Sequence, residues 1–369
     1  MFERRRVHAA ALLTALSFGF ASGCDGGPTG VPPEGAIDLS LPWIQAAPHA
    51  VGLDANALFV AGEQGEGITR LRSLVVIRQG RLAYERYYGG ATVDSLADVR
   101  SVTKSVVSAL VGIAIDRGDI DGLDQPMTDF VEAPEFAVQP PHAAITVGHL
   151  LTMTSGFFWS ENNVAGYNDW LQSGEPENYL LARPISALPG QSFTYNSAAV
   201  HLLSVLLEKA VEPPLDAFAD EVLFVPLGIR RRSWEELSSG YVNGGSGLDL
   251  RPRDLAKFGQ LYLQEGWSDQ RSLIPAEWIS RSTDVSVGNL GSVGPIQRLS
   301  YGFLWWLDLD RSAFFAWGFG GQFVYVAPHL DLVVVATTDW RGVTQDIGNQ
   351  ALQARVLSLI IDAVLPAAR

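Results

Sequence analysis

The spacing of hydrophobic positions predicts strands at both ends of the chain. Near the amino end, 73–77 and 81–88 are runs of apolar, β-branched or aromatic residues on either side of a Gln-Gly turn, which predicts a strand, a turn and a second strand. Near the carboxyl end, a glycine cluster and a Pro-His-Leu-Asp turn separate three further runs. These runs are expected to be consecutive antiparallel strands and cover 312–317, 322–327 and 332–338.

Helical spacing dominates elsewhere. Apolar positions follow a helical period in four segments, 101–118, 198–210, 253–265 and 345–365. We therefore predict an α+β fold, with one antiparallel sheet built from both chain ends and flanked by helices, and with an inserted, mainly helical lobe. The expected bounds are about 49–98 and 297–369 for the sheet lobe and about 99–296 for the helical lobe.

The composition supports one large core and argues against nucleic acid as a partner. Of the 369 residues, 47% are hydrophobic and 18% are charged. The formal net charge of −14 opposes binding to nucleic acid or to anionic lipid surfaces. The single cysteine, Cys24, excludes an internal disulfide and a cysteine-rich metal site, and we expect no metal and no cofactor.

The Gly- and Pro-rich segment 24–48 is expected to be a flexible tether before a folded domain at 49–369.

The first residues follow the order of a bacterial lipoprotein signal. Arg4-Arg5-Arg6 precedes the apolar stretch 9–20, which is too short to span a bilayer and is followed by Ala21-Ser22-Gly23-Cys24. These last four residues resemble a lipobox, with alanine instead of the usual leucine in the first place. We predict a signal peptide over 1–23, lipid attachment at Cys24 and a location in the bacterial cell envelope, periplasmic or otherwise extracytoplasmic. Plain secretion is the alternative.

Ser101-Val102-Thr103-Lys104 has the spacing of a lysine-activated serine nucleophile. Residues three apart share one face of a helix, so the Lys104 amine can reach the Ser101 hydroxyl. The positive end of the helix dipole favours an alkoxide, and apolar surroundings lower the affinity of the amine for its proton. The alternative is an ordinary helix-start serine followed by an exposed lysine, although a lysine in the first turn opposes the dipole.

Two further segments offer groups that such a nucleophile needs. Tyr195 precedes a predicted helix, and its phenol can relay a proton between nucleophile, leaving group and water; the alternative is an aromatic residue at the edge of the core. The glycine cluster 317–322 lies beside a strand, where an N–H near Gly321 or Gln322 can pair with the Ser101 amide to form an oxyanion hole. The alternative there is a bulge or a tight bend.

Together these segments resemble the penicillin-recognising serine hydrolases, which include class C β-lactamases, D-alanyl peptidases, related esterases and 6-aminohexanoate-dimer hydrolases. The resemblance covers roughly 70–360. Its supporting motifs are Leu150-Leu151-Thr152-Met153-Thr154-Ser155-Gly156, Gly245-Ser246-Gly247-Leu248 and Tyr301-Gly302-Phe303-Leu304-Trp305-Trp306. It implies that Ser101 is acylated, that Lys104 and Tyr195 share the acid and base roles, and that the strand near Gly320 lines the cleft.

Two departures from the family pattern bear on the substrate. The second motif is usually tyrosine, any residue and asparagine, whereas here Ser197 takes the position of the amide and Asn196 is free to point elsewhere. The third motif usually begins with lysine or histidine, whereas Gly318 or Phe319 stands there, so no cation is offered to a substrate carboxylate. The candidate substrate-binding and oxyanion residues are Asn196, Ser197, Phe319, Gly320, Gly321 and Gln322.

The expected function is that of a serine hydrolase that cleaves small esters or amides through an acyl-enzyme on Ser101. Arg311 or Arg341 could supply the missing cation, although a solvated surface arginine is the commoner outcome. One alternative is a β-lactamase or D-alanyl-D-alanine peptidase, and another is a non-catalytic envelope binding protein. The expected partners are a small ester, amide or peptide-like substrate and a membrane reached through the lipid anchor alone, with no nucleic acid.

Overall fold

Strands from both ends of the chain pair in one antiparallel sheet. The structure is a computed structural model that describes residues 31–161, 164–343 and 347–368. Its strands are Leu71–Arg78 (β1), Arg81–Tyr87 (β2), Ala97–Asp98 (β3), Ser233–Trp234 (β4), Leu248–Leu250 (β5), Trp267–Ser268 (β6), Arg271–Ser272 (β7), Leu299–Tyr301 (β8), Trp306–Asp308 (β9), Ala313–Gly318 (β10), Gln322–Ala327 (β11) and Leu332–Thr338 (β12). The main sheet has seven strands in the order β2-β1-β12-β11-β10-β9-β8.

The β1–β12 pair joins the two ends of the chain. The strands run antiparallel, with Val75 opposite Val335 and Arg78 opposite Leu332. All seven residues of β12 are buried, which suits a β-branched strand covered on both faces. The prediction of an α+β fold with a sheet built from both chain ends is confirmed.

Helices occupy the long insertion between β2 and β8 and also cover the outer face of the sheet. They are Ala55–Glu66 (α1), Val102–Arg117 (α2), Val147–Leu151 (α3), Asp169–Leu171 (α4), Pro176–Leu181 (α5), Ser197–Val211 (α6), Leu215–Ala219 (α7), Pro252–Leu263 (α8), Ala276–Ser282 (α9) and Ile347–Ser358 (α10). A π-helical segment, Leu359–Val364, continues α10. Although 253–265 was assigned to the helical lobe, α8 packs on the sheet, because Gly259 brings its backbone against Val333 and Val324.

Two apolar layers cover the two faces of the sheet. Alternate side chains of a strand point to opposite faces, so Val333 and Val335 join the core shared with α2, α6 and α8. Val334 and Ala336 join the second core, beneath α1, α10 and the π-helical segment. The helix that carries Ser101 and Lys104 is thus packed in the larger core, and all residues of α2 from Val102 to Ala114 are buried.

The folded region begins before residue 49, where the sequence analysis placed its boundary. Leu39 is buried, and its N–H donates to the Ser268 hydroxyl at 2.9 Å. The Ala46 N–H donates to the Leu82 carbonyl at 3.0 Å. The later part of the predicted tether, 24–48, is therefore bound to the domain, whereas the predicted signal peptide, 1–23, and Cys24 lie outside the described residues.

One stretch of the described residues, Asn349–Ala367, is long and apolar enough to cross a membrane. Half of its most hydrophobic window is buried inside the protein. Val356, Ile360 and Val364 pack in the second core, so burial against the sheet accounts for the apolar composition of this stretch.

Candidate active site

Ser101 stands at the amino end of α2 with its hydroxyl free for chemistry. It is the N-cap of the helix, yet its side chain accepts no capping hydrogen bond from the helix backbone. The Lys104 amine donates to the Ser101 Oγ at 2.8 Å, which is the contact that the spacing of three residues predicts. The preceding residue, Arg100, has a φ of 51°, a strained value for a side chain of this size. The serine hydroxyl is therefore held as a partner of the lysine, not as a helix cap.

Lys104 is buried and uses all three of its donors. Besides Ser101, the amine donates to the Ser197 Oγ at 2.8 Å and to the Gly245 carbonyl at 2.5 Å. Burial lowers the Lys104 pKa from its ordinary 10.5 to about 7, partly opposed by the negative charge of Glu161. A substantial neutral fraction therefore exists near pH 7, as a general base requires.

Tyr195 completes the group. The Lys104 Nζ lies 5.0 Å from the centroid of its ring, and the nearby Ser101 hydroxyl partly opposes the effect of burial on the pKa of its phenol. The other side of the ring stacks on Trp306, with the centroids 5.8 Å apart. Burial raises the pKa of the phenol well above its ordinary value, so Tyr195 stays protonated and can act as a donor.

The start of α6 places Ser197 and Asn196 in different roles. Ser197 contacts the Lys104 amine, in the position that the family resemblance gives to an amide side chain. Asn196 instead caps α6, because its Oδ1 accepts the Ala199 N–H at 2.9 Å. Asn196 is therefore a structural residue, and its assignment to substrate binding is corrected.

A loop between β4 and β5 supplies the backbone acceptor for Lys104. The Asn243 Oδ1 accepts the N–H groups of Gly245 and Ser246, both at 3.1 Å, and so fixes the Gly245 carbonyl. The Ser246 hydroxyl contacts the Tyr167 hydroxyl at 3.1 Å, and Tyr167 in turn accepts from Arg100 at 2.9 Å. This glycine motif is visible in the sequence, but its role in binding Lys104 is not. The roles of Tyr167 and Arg100 could not be predicted either, because no local pattern reveals their positions.

Glu161 is another residue that the sequence analysis missed. Its Oε1 accepts the Ser197 N–H, and it accepts the Trp159 indole N–H at 3.0 Å. A single carboxylate in a loop carries no periodic signal, and its relation to Lys104 depends on the folded position of α6. Glu161 therefore contacts Ser197, which in turn contacts Lys104, and it does not contact Lys104 directly.

The turn between β10 and β11 approaches the nucleophile through glycine. A Cβ at Gly318 would overlap the carbonyl oxygen of Val99, two residues before Ser101. Of the predicted oxyanion donors, Gly321 donates its N–H to the Gly318 carbonyl at 3.2 Å, and Gly320 donates to the Asn349 Oδ1 at 3.1 Å. Both of these N–H groups have partners within the protein, so a free donor near Gly321 has to come from a neighbouring residue.

Phe319 is the better candidate for this donor. The N–H groups of Ser101 and Phe319 donate to none of the described residues. Gln322 pairs with Gly318 in the β10–β11 ladder, and its side-chain amide donates to Thr338 at 2.8 Å. The Gln322 side chain thus connects β11 with β12 by hydrogen bonds, and its side-chain amide is not free to bind a substrate.

The two arginines considered as substitutes for the missing cation do not contact these residues. Arg311 pairs with the buried Asp308 at 3.1 Å. Arg341 has a side chain that is 74% exposed and lies 3.9 Å from Asp339. No described contact brings either guanidinium to Ser101.

Comparison with known proteins then settles the family. A family model described as Beta-lactamase matches residues 70–357. The chain belongs to the Beta-lactamase family. The resemblance predicted from the sequence is confirmed, and so is a serine hydrolase assignment at the level of the family.

Two relatives are an esterase and a 6-aminohexanoate-dimer hydrolase. The chain is 31% identical to esterase EstB of Burkholderia gladioli over 42% of the chain and 45% of that protein, so the match spans less than half of the esterase. It is 24% identical to 6-aminohexanoate-dimer hydrolase of Paenarthrobacter ureafaciens over 84% of the chain and 82% of that protein.

Solved structures share the fold. A Bacillus anthracis protein assigned as a 6-aminohexanoate-dimer hydrolase has a TM-score of 0.72 at 18% identity, covering 92% of this chain and 90% of its own. EstCE1, a hydrolase with promiscuous acyltransferase activity, has a TM-score of 0.64 at 19% identity, covering 84% and 98%. At these identities the structures establish the architecture and not the substrate.

Proposed function

We propose that this Beta-lactamase family protein hydrolyses small esters or amides through an acyl-enzyme on Ser101. The observation that carries the proposal is the 2.8 Å contact between the Ser101 hydroxyl and an amine whose pKa burial lowers to about 7. In the first step, the Ser101 oxygen bonds to the substrate carbonyl carbon while its proton passes to Lys104. The N–H groups of Ser101 and Phe319 receive the negative charge on the carbonyl oxygen.

Tyr195 serves as the proton carrier between Lys104 and the leaving group. Its ring lies beside the amine, and Ser101 is a neighbour of its phenol. When the tetrahedral intermediate collapses, the phenol gives its proton to the leaving oxygen or nitrogen and takes one from the Lys104 ammonium. Water then attacks the acyl group, with the same groups acting in reverse.

The absence of a cation at the third motif supports small, uncharged esters or amides as substrates. Phe319 and Gly318 stand where a lysine would attract a carboxylate. Trp306 stacks on Tyr195, its ring centroid lies 5.0 Å from that of Trp317, and both tryptophans are only partly buried. An aromatic wall of this kind favours an apolar acyl or leaving group. The activities named for the relatives, an esterase and a 6-aminohexanoate-dimer hydrolase, support the same class.

Covalent labelling tests the proposal. The chain from residue 25 is incubated with a fluorophosphonate probe and with p-nitrophenyl esters. We expect label on Ser101 and ester turnover, both abolished in Ser101→Ala, because the probe requires an activated serine. Equal labelling of the variant would refute the assignment. Rapid nitrocefin hydrolysis together with slow ester turnover would instead favour a β-lactamase, and ligand binding without turnover would favour a binding protein.

A lipid-anchored location in the cell envelope is also part of the proposal. It is supported by the arginines, the short apolar stretch and the small residues that precede Cys24. Metabolic labelling with an alkyne fatty acid should mark the wild-type chain and not Cys24→Ser. Release of an unlabelled wild-type chain into the medium would support plain secretion.

A further inference from the structure

Glu161 is bound to the same residue that binds the catalytic amine. Its Oε1 accepts the backbone N–H of Ser197, while the hydroxyl of Ser197 accepts from Lys104 at 2.8 Å. The indole N–H of Trp159 donates to the same Oε1 at 3.0 Å and limits the freedom of the carboxylate. The carboxylate is thus one residue removed from Lys104 and is held in place from two sides.

The position also suits a negative charge. Ser197 is the first residue of α6, a helix of fifteen residues, so its N–H is one of the unpaired donors at the positive end of the helix dipole. Glu161 is half-buried, which keeps solvent from screening its charge fully. The carboxylate can therefore act on charge that appears at Lys104.

Lys104 lies among few ionisable groups, and they act in opposite directions. Glu161 raises its pKa, whereas Arg100, which precedes the nucleophile on the chain, lowers it. Tyr195 faces the amine with its ring, and Tyr167 accepts a hydrogen bond from Arg100. Burial raises the pKa of both phenols and so keeps them neutral. Of the two charged groups, Glu161 and Arg100, Glu161 is the one that favours a positive charge on Lys104.

We propose that Glu161 is a positioning residue for the acylation step: its carboxylate, held on Ser197 at the start of α6, stabilises the Lys104 ammonium that forms when the Ser101 proton is transferred. The proton leaves the Ser101 oxygen as that oxygen bonds to the carbonyl carbon, and it stays on Lys104 until Tyr195 delivers a proton to the leaving group. Glu161 itself neither gains nor loses a proton. This inference rests on the proposed function, in which Lys104 is the base.

Glu161→Gln separates charge from structure. A glutamine carbonyl oxygen can accept the same two hydrogen bonds, from Ser197 and Trp159, so the loop keeps its contacts while the charge is lost. Glu161→Ala removes both the charge and the contacts. Glu132→Gln, an exposed position in the same lobe, is the matched control for loss of one negative charge.

The experiment measures Lys104 directly. The chain contains three lysines, Lys104, Lys209 and Lys257, so the full-length protein labelled with ¹³C at the lysine ε-carbon gives three signals. Lys104 and Lys257 are both buried, and the signal that Lys104→Met removes is assigned to Lys104. The titration is followed by NMR from pH 5 to 10, alongside the pH dependence of fluorophosphonate labelling of Ser101. Both readouts are available before the natural substrate is known.

We expect Glu161→Gln to move the midpoint of Lys104, and the acid limb of Ser101 labelling with it, to lower pH. A shift of about one pH unit corresponds to a tenfold change in the proton affinity of the amine. The labelling rate at the alkaline plateau should fall several-fold, because the ammonium formed in the reaction is less stable. Glu132→Gln should leave both curves at their wild-type positions.

A purely structural role would leave the pH curves unchanged. If the Glu161→Gln curves superimpose on those of the wild type, the inference is overturned, even if Glu161→Ala is impaired. Failure of the wild-type protein to label at Ser101 would instead reject the proposed function. In that case the lysine titration still decides whether the carboxylate acts on Lys104.

Discussion

The replacement of Lys104 by methionine should remove activity and change how stability depends on pH. Burial lowers the Lys104 pKa from 10.5 to about 7, so the unfolded chain binds more protons than the folded one between these values. At about 1.4 kcal/mol per pH unit, protonation of the buried amine costs the folded state about 5 kcal/mol in all. This cost is complete below about pH 7 and disappears as the pH rises toward 10.5.

The measurement is the difference in unfolding free energy between wild type and Lys104→Met. Urea denaturation from pH 6.5 to 9.5 should show the wild type gaining on the variant by about 1.4 kcal/mol per pH unit above pH 7, and no change below it. The absolute difference also contains the three hydrogen bonds lost by Ser101, Ser197 and Gly245, which the slope does not. Lys209→Met, at a partly exposed position, is the control. A difference that stays constant with pH would refute the assignment of a desolvated amine.

Two further substitutions test the proton carrier and the approach of β10. Tyr195→Phe should lower kcat for p-nitrophenyl acetate by about 10²- to 10⁴-fold, because the phenol that carries the proton is lost. The fold should stay intact by circular dichroism, because the stacking on Trp306 is kept. An unchanged kcat would mean that a group other than Tyr195 transfers the proton. Gly318→Ala should lower the melting temperature and reduce Ser101 labelling, because its Cβ would overlap the Val99 carbonyl oxygen; a variant with wild-type melting and labelling would contradict the close approach.

The elements that the sequence predicts best are those with strict periodicity. The predicted strand 322–327 is β11 to the residue, and the predicted helix 198–210 is α6 to within one residue at each end. Helix α1 was missed because its glycines interrupt the apolar pattern; Gly62 and Gly65 instead let it approach Tyr84 and Tyr88. Local spacing predicts a helix or strand only where side chains, and not close backbone contacts, determine how the element packs.

Part of the candidate site could also be predicted from local spacing, and part could not. The Ser101–Lys104 contact depends on the geometry of one helix and could be predicted from two residues. The carbonyl of Gly245 contacts Lys104, and the carboxylate of Glu161 contacts Ser197, both from loops far away in the chain. No periodic pattern predicts these contacts. Which amide of the β10–β11 turn is free could not be predicted, because the hydrogen bonds within the turn are not visible in a run of glycines.

The hydroxyl of Ser197 gives the site a property that an asparagine amide would lack. An amide presents separate atoms for donating and accepting, whereas one hydroxyl oxygen accepts from an ammonium and, after rotation of its hydrogen, donates to a neutral amine. At 2.8 Å from the Lys104 Nζ, Ser197 can therefore reverse the direction of its bond as the proton moves. The lysine keeps a polar neighbour in both protonation states, and no rearrangement of heavy atoms has to accompany each turnover.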